Sequence, residues 1–296
     1  MLRKENNVIR TKTVFVLGAG ASFPYGFPLG SELKKLVLQC YKDEKSHAAH
    51  LYNTTDFDKA AAIEFITALQ YSGLSSVDAF LERRPQFLDI GKATMGIELL
   101  IKEGTSDLWK EQENWLTYLY GSMIGSALEE FAENRVSFVT FNYDRVVEHF
   151  FHTSLLNAFG KGIEDTAKIV NQIPVIHLHG RLGCLPWQNG EGVVPYGDPT
   201  IDKQVMKTLL NEIKVVHEDI TDGRDKEFTR AKVLLGEAER VYLLGFGFGA
   251  RNVERPWSEG VAAAARRPKS NCSRSDTARV EPGGGRSTKR QGRTAP

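Results

Sequence analysis

The stretch Thr13-Val14-Phe15-Val16-Leu17-Gly18-Ala19-Gly20-Ala21-Ser22 decides the fold of this chain. Its first five residues are β-branched or apolar without polar alternation, which predicts a strand buried on both faces, as in a parallel sheet. The glycines that follow permit a tight turn. Pro24 and Pro28 interrupt the next residues, and a helix is predicted from Ser31 to Cys40. Strand, glycine turn and helix form the first unit of a parallel α/β sheet.

Three further apolar segments predict strands, at residues 136–141, 173–178 and 240–244. Helical patterns occupy most of the remaining sequence after residue 144, at residues 145–159, 201–217 and 228–239. Strands that alternate with helices in this way are typical of open parallel sheets. We therefore predict a doubly wound, Rossmann-like parallel α/β sheet.

Residues from about 56 to 134 carry helical periodicity and no convincing strand. Phe65 and Leu69 recur at helical spacing, and Ser76 is well placed to cap a helix that carries Phe80. Another long helix is predicted over residues 115–131. We interpret this region as a helical insertion, at about 45–134, within one α/β domain that spans residues 1–249.

The composition changes abruptly at residue 250. From there to Pro296 the chain has no Leu, Ile, Phe, Tyr or Met, and its 11 basic and 4 acidic residues give a net charge of +7. Such a segment buries too little apolar surface to offset the entropy cost of ordering. We predict that residues 250–296 form a disordered basic tail or an out-of-frame end. Nucleic-acid binding is not expected, except through this tail.

The bulk composition excludes several classes of protein. The whole chain carries a formal net charge of +1, which favours no particular partner. Cys40, Cys184 and Cys272 are too few for a disulfide framework or a four-cysteine zinc site, so no metal is expected. The polar N-terminus does not resemble a signal peptide, and no apolar stretch approaches the ~20 residues of a membrane span. These features predict a cytoplasmic protein without a membrane partner.

The glycine cluster after the first strand can bind phosphate. Gly18 and Gly20 allow the backbone to approach a diphosphate, whose oxygens can accept from exposed N–H groups and from the Ser22 hydroxyl. A structural strand-to-helix turn is the alternative, and it is favoured when such a cluster stands alone. Phe23 occupies the last glycine position of the GxGxxG fingerprint, which disfavours a hydride-transferring enzyme.

The next two strand ends carry polar side chains that suit a sugar or a reacting water. Asn142 offers both a donor and an acceptor, with an Asx turn as an equal alternative. Asp144 is best interpreted as a helix N-cap. Strand alternation predicts His177 and His179 on one face, and His179 can act as a general base near neutral pH. The alternatives are half-buried structural histidines or an HxH metal pair, for which no partner ligands are evident.

In this order the strand-end clusters resemble the sirtuin-like family, and especially the NAD hydrolases of bacterial anti-phage defence. The resemblance covers residues 13 to about 249. A flexible exit from the last strand is the alternative for its final glycine loop. The matching stretches are GAGAS at 18–22, TFNYD at 140–144, HLHG at 177–180 and LGFGFG at 244–249, with SVDAFL at 76–81 in the insertion.

The resemblance implies that NAD is a substrate whose nicotinamide–ribose bond is cleaved to give nicotinamide and ADP-ribose. Asn142 and His179 are then catalytic, with Asn142 beside the nicotinamide ribose, and Asp144 shapes the nicotinamide pocket. The other residues that the resemblance assigns to NAD binding are Gly18, Ala19, Gly20, Ala21, Ser22, Gly245, Phe246 and Gly247.

Two departures from the family keep other functions open. The chain has no four-cysteine zinc module like that of classical sirtuin deacylases, which counts against protein deacylation. The tail also replaces the α/β elements that usually follow the last glycine loop. The alternatives are an NAD-dependent protein deacylase and a non-catalytic sensor of NAD or ADP-ribose. A defence role, and a homo-oligomer or a defence-system partner protein, rest on the resemblance alone.

Overall fold

The computed structural model describes five ranges of the chain, at residues 8–41, 47–110, 114–198, 200–215 and 226–246. All of them fall within one compact unit, Met1–Ala265. Gly247 and the predicted tail at 250–296 lie outside the described residues. None of the helices in the five ranges has the length and apolarity that a membrane crossing requires.

The described residues form a mixed α/β fold around a four-stranded sheet whose strands are all parallel. The strands are β1 (Thr13–Leu17), β2 (Val136–Thr140), β3 (Val175–His177) and β4 (Arg240–Leu244). Their order is β3-β2-β1-β4, so β4 returns to the far side of β1 after β2 and β3 have extended the sheet the other way. The predicted parallel α/β sheet is confirmed, with a topological switch point between β1 and β4.

Helices α3 to α7 occupy the stretch between α2 and β2, where the helical insertion was predicted. Three short 3₁₀ segments supplement the α-helices, at Phe23–Tyr25, Pro85–Phe87 and Leu128–Glu133. The described α-helices are α1 (Ala19–Ser22), α2 (Gly30–Gln39), α3 (Ala48–Thr54), α4 (Lys59–Tyr71), α5 (Val77–Leu81), α6 (Leu88–Gly104), α7 (Trp115–Met123), α8 (Val146–Phe159), α9 (Ile163–Val170), α10 (Lys203–Glu212) and α11 (Lys226–Glu237).

The two faces of the sheet belong to different apolar cores. On one face Val16 packs in a small cluster that includes Leu235 of α11. On the other face the Phe15 ring lies between those of Phe138 and Tyr242, with ring centroids 5.5 and 5.2 Å apart. Phe138 belongs to the larger core, which includes residues of α6 and α8. Both faces are covered, as the apolar run of β1 after Thr13 predicted.

The prediction of one helix over residues 115–131 is wrong. Helix α7 ends at Met123, and the 3₁₀ segment Leu128–Glu133 follows after a break. The buried Asn134 side chain donates to the backbone carbonyls of Met123 and Phe131, at 2.9 Å each. These two bonds give partners to carbonyls near the break, so interrupting the helix does not leave those carbonyls without a hydrogen bond.

Glycine backbones close the gap between the ends of β1 and β4. The Gly20 N–H donates to the Gly245 carbonyl, and the Gly18 N–H donates to the Leu244 carbonyl, both at 2.9 Å. A Cβ on Gly18 would lie 2.8 Å from the Gly245 oxygen, and one on Gly20 would lie 2.9 Å from the Gly245 Cα. Glycine is required at both positions because a side chain would collide with the facing backbone.

We predict that Gly245→Ala lowers the free energy of unfolding by more than the cost of its left-handed backbone conformation. Gly245 has a φ of +71°, and a Cβ there would lie 1.9 Å from the Ala21 nitrogen. The loss of unfolding free energy should exceed the roughly 1–2 kcal/mol that a left-handed conformation costs a residue with a side chain. Urea unfolding measures this loss.

Gly73→Ala is the matched control for this experiment. Gly73 has a similar φ of +67°, but no atom lies within 4 Å of its Cβ position. This variant therefore carries the conformational cost without the collision. Equal losses for Gly245→Ala and Gly73→Ala would contradict the close contact between the two loops.

Candidate functional site

The glycine cluster after β1 packs backbone against backbone in this structure. Helix α1 begins directly after Gly18, and the Ala21 N–H donates to the Gly18 carbonyl at 2.8 Å. The Gly20 N–H is engaged by Gly245, and a Cβ on Gly18 would also lie 3.3 Å from the Phe246 ring. These contacts explain both glycines without a ligand. Their role in phosphate binding stays a prediction.

Asn142 joins the ends of β1 and β2 through its side chain. Its Nδ2 group donates to the Gly18 carbonyl at 3.2 Å and to the Ser22 Oγ at 3.0 Å, and the residue is buried. These partners lie 124 and 120 residues away in the sequence. The side chain is therefore a long-range bridge and not the Asx turn that the sequence left open.

Asp144 is a buried carboxyl beside this bridge. One of its oxygens accepts from the Val146 N–H at 3.3 Å, and the Ser22 side chain also hydrogen-bonds the carboxyl. Burial raises the pKa of Asp144 to about 6, against the lowering effect of these two bonds. The N-cap position of α8 is Arg145, one residue later than the sequence indicated. Asp144 therefore supports the start of α8 and also contacts the end of β1.

His177 and Glu148 form a buried pair that the sequence analysis missed. The His177 Nδ1 lies 2.9 Å from the Asn142 carbonyl oxygen, and its Nε2 lies 2.9 Å from the Glu148 Oε1. Both partners are acceptors, so both bonds form when each ring nitrogen carries a proton. Burial acts to raise the pKa of Glu148, but the charge and hydrogen bond of His177 outweigh it and lower that pKa. The available signal was an acidic residue in the first turn of the helix after β2.

His179 faces a different helix from His177, so the prediction that both share one face is wrong. Strand β3 ends at His177, and the chain turns over the next two residues. The His179 ring centroid lies 5.5 Å from that of Phe141 and 6.3 Å from that of Phe228 on α11. The turn therefore places His179 in an aromatic environment at the end of the sheet.

The last described residues bring the β4 loop onto the same edge of the sheet. The Phe246 ring stacks edge-on against Phe141, with centroids 5.5 Å apart. Phe141 in turn lies beside His179. The structure thus links Gly18, Ser22, Asn142, Asp144 and Gly245 through direct contacts, and it links His179 to Phe246 through Phe141. Residues 247–249 of the predicted β4 loop lie outside the described residues.

Arg145 is a second site-forming residue that the sequence analysis did not identify. Its guanidinium binds both carboxylate oxygens of Glu103, and both side chains are fully buried. It also donates to the carbonyl of Val194. Glu103 belongs to α6 of the helical insertion. Arg145, which directly follows Asp144, therefore ties helix α6 of the insertion to the segment that carries the buried Val194.

The insertion also contacts the strand ends directly. The Tyr143 hydroxyl donates to the Asp78 Oδ1 at 2.5 Å, which joins the SVDAFL segment to the end of β2. The Trp115 Nε1 donates to the Ala21 carbonyl at 2.8 Å, at the start of α7. The insertion therefore supports the candidate site from one side, although none of its residues was predicted to belong to the site.

Two cavities of the structure lie away from the predicted residues. One of about 310 Å³ is lined by Glu148, Arg181 and Arg230, among others. Another of about 420 Å³ lies between the Phe23 turn and α2. Neither is lined by Ser22, Asn142 or His179. The strand-end cluster is closed over by the β4 loop in this conformation.

Comparisons with known proteins do not assign a family. No protein-family model matches the chain, and no curated protein matches its sequence. Within the described ranges, no group of three or more His, Cys, Asp or Glu side chains is arranged to hold a metal ion.

We predict that the stability contribution of Asp144 depends on pH. Because burial raises its folded-state pKa from 3.8 to about 6, the folded protein holds a proton that the unfolded chain releases in this interval. This contribution is full at low pH and is lost as the pH rises through about 6. Asp144→Asn removes the charge. The free energy of unfolding of the variant, relative to that of wild type, should therefore be higher at pH 7.5 than at pH 4.5. Between these two pH values the gain is expected to be about 2 kcal/mol.

Urea unfolding of both proteins at the two pH values measures this gain. Asp56→Asn is the control because Asp56 is exposed. The control should change stability equally at both pH values. A pH-independent effect of Asp144→Asn would contradict the proposed burial of its charge.

Proposed function

We propose that this chain is a sirtuin-like NAD glycohydrolase. The observation that carries the proposal is the convergence of Ser22, Asn142 and Asp144 in one hydrogen-bonded cluster at the carboxyl ends of β1 and β2. Parallel α/β proteins bind nucleotides at this edge, close to the topological switch point. The switch point of this sheet lies between β1 and β4, beside the same cluster.

The proposed reaction breaks the bond between C1′ of the ribose and the nicotinamide nitrogen. The bonding electron pair leaves with nicotinamide, and the ribose develops oxocarbenium character, as in glycoside hydrolysis. A water oxygen then bonds to C1′ and loses a proton to a general base. The products are nicotinamide and ADP-ribose. NAD is therefore a substrate, and the reaction requires no metal.

His179 is the proposed general base. Imidazole accepts protons near neutral pH, and proton transfer by a positioned base typically contributes about 10²–10⁴-fold in rate. The ring lies near Phe141 and Phe228, which restrict water around it. Asn142 is proposed to orient the ribose or the attacking water. His177 is unsuited to the role of base because Asn142 and Glu148 already engage both of its nitrogens.

The proposal requires the β4 loop to move when NAD binds. The Gly245 carbonyl now accepts from the Gly20 N–H, and the Phe246 side chain lies beside Gly18. These contacts fill the switch-point crevice where a diphosphate would lie. Displacement of Gly245 and Phe246 frees the Gly20 N–H for a phosphate oxygen. The cellular role proposed from the family resemblance is defence through NAD depletion in the cytoplasm, with the activating partner unassigned.

Binding without cleavage is the second candidate function, and the Asn142 contacts favour it. The Nδ2 group of Asn142 already has two acceptors, in Gly18 and Ser22. An amide engaged in this way serves to shape a pocket without touching a reacting water. Such a protein would sense NAD or ADP-ribose. Release of free nicotinamide from NAD by the purified chain separates the two functions, and dependence on an acetylated peptide would identify a deacylase.

We predict that His179→Ala lowers NAD cleavage about 10²–10⁴-fold while NAD binding is retained. Nicotinamide release reports cleavage, and calorimetric titration with NAD reports binding. His50→Ala on α3 is the control, because it removes an imidazole away from the sheet ends. Near-wild-type turnover of His179→Ala would exclude His179 as the base.

Asn142→Ala should also lose NAD cleavage. Its effect on the free energy of unfolding should be small beside its effect on turnover. Its side chain makes two buried hydrogen bonds, each of which contributes about 1 kcal/mol in typical proteins. Nicotinamide release and urea unfolding are measured on the same preparation. Loss of stability with unchanged turnover per folded molecule would show that Asn142 only bridges the two strands.

A further inference from the structure

The cavity of about 310 Å³ lies at the outer edge of the sheet, beside the edge strand β3. Its lining combines residues of α8 and α11 with Pro174, Val175 and the loop at residues 187–189. The volume is at the lower end of the range for small-ligand pockets, about 300–1,000 Å³. The candidate NAD site at the strand ends does not account for this cavity.

Two arginines give the cavity its positive charge. Arg181 donates to the Gln188 Oε1 at 3.3 Å and to the Cys184 Sγ at 2.9 Å, so its acceptors are neutral. The ion pairs within the described ranges do not include Arg181. Arg230 pairs with Glu227 at 3.1 Å on the exposed side of α11. Surface pairs of this kind are weak, so Arg230 can turn to an anion at little cost.

The acidic residue in the lining does not cancel this charge. The Glu148 carboxylate faces the His177 Nε2 at 2.9 Å, and both side chains are buried. Two guanidinium groups line the cavity against this one carboxylate. Arg181 and Arg230 therefore give the cavity a net positive lining.

A ring and several amides complete the lining. Trp187 stacks on His152, with centroids 4.3 Å apart and planes at 6°, so the indole plane is fixed. The side chains of Asn171, Gln188 and Asn189 also line the cavity and offer donors and acceptors. A flat apolar surface beside amides suits a nucleobase or a sugar, while two guanidinium groups suit a phosphate.

We infer that this cavity binds a phosphate monoester of mononucleotide size, with Arg181 and Arg230 on the phosphate and Trp187 beside the base. Guanidinium groups bind phosphate oxygens in a bidentate manner, which a lysine does not reproduce. The inference concerns binding only, and it stands whether or not the chain cleaves NAD.

Calorimetric titration of the full chain with AMP, adenosine and inorganic phosphate tests the inference. AMP should bind with a Kd below about 1 mM, and the other two at least 10-fold more weakly. Adenosine binding as tightly as AMP would overturn the phosphate assignment. Equal binding of inorganic phosphate would indicate a simple anion site, and the absence of AMP binding would also overturn the inference.

Arg230→Gln is the decisive variant because Arg230 is exposed and its loss should leave the fold intact. It should weaken AMP binding about 10–100-fold, as expected for one charge-assisted hydrogen bond. Arg181→Gln should act in the same direction. Arg10→Gln makes the same charge change at an exposed position away from the cavity and should have no effect. An equal loss with Arg10→Gln, or unchanged AMP binding by Arg230→Gln, would place AMP elsewhere.

Discussion

Arg145 and Glu103 form a fully buried ion pair that ties three parts of the chain together at the candidate site. Burial raises the pKa of Glu103, while the charge and hydrogen bonds of Arg145 oppose this change. Two buried charges are tolerated only when their remaining donors and acceptors are satisfied. Here the carbonyl of Val194 accepts from the guanidinium as well. The loop that carries Val194 and the insertion helix α6 therefore hold Arg145, and with it the start of α8.

The position of Arg145 constrains the chemistry of its neighbours. Asp144 precedes it directly and Asn142 lies three residues before it, so fixing Arg145 limits how far these side chains can move. Their own contacts to Ser22 and Gly18 then connect β2 to β1, and the glycine contact connects β1 to β4. The strand ends form one linked unit. The proposed ligand at the switch point would displace Gly245 and Phe246, whose contacts with Gly18 and Gly20 fill this position.

The sequence predicted the sheet because each strand is a short apolar run next to glycine or polar residues. The local signal is strong for β1, which is covered on both faces, and for the helix that became α8. The same reasoning failed over residues 115–131, where apolar spacing continued through a break that Asn134 stabilises from outside the helix. Helix α9 (Ile163–Val170) was also missed.

The candidate site was predictable only in part, because strand ends are visible in a sequence but pairings across the fold are not. Asn142 and Asp144 were found from their positions after β2. Glu148 on α8 was not found, because its partner His177 lies on strand β3, 29 residues away in the sequence. Arg145 was interpreted as an ordinary helix start, since nothing near it in the sequence indicates Glu103. The strand period also misplaced His179, because β3 ends at His177 and the chain turns over the next two residues.

The HLHG stretch shows how one motif divides into two roles. His177 is held by the carbonyl of Asn142 on one side and by Glu148 on the other, and both bonds require it to donate. A metal ion needs a ring nitrogen with a lone pair, so His177 could ligate one only by giving up one of these buried bonds. The HxH pair is therefore a poor metal site for a structural reason that involves His177 alone. His179 lies beyond the end of the strand, beside Phe141 and Phe228, and it is the histidine of the motif that the proposed reaction uses as its base.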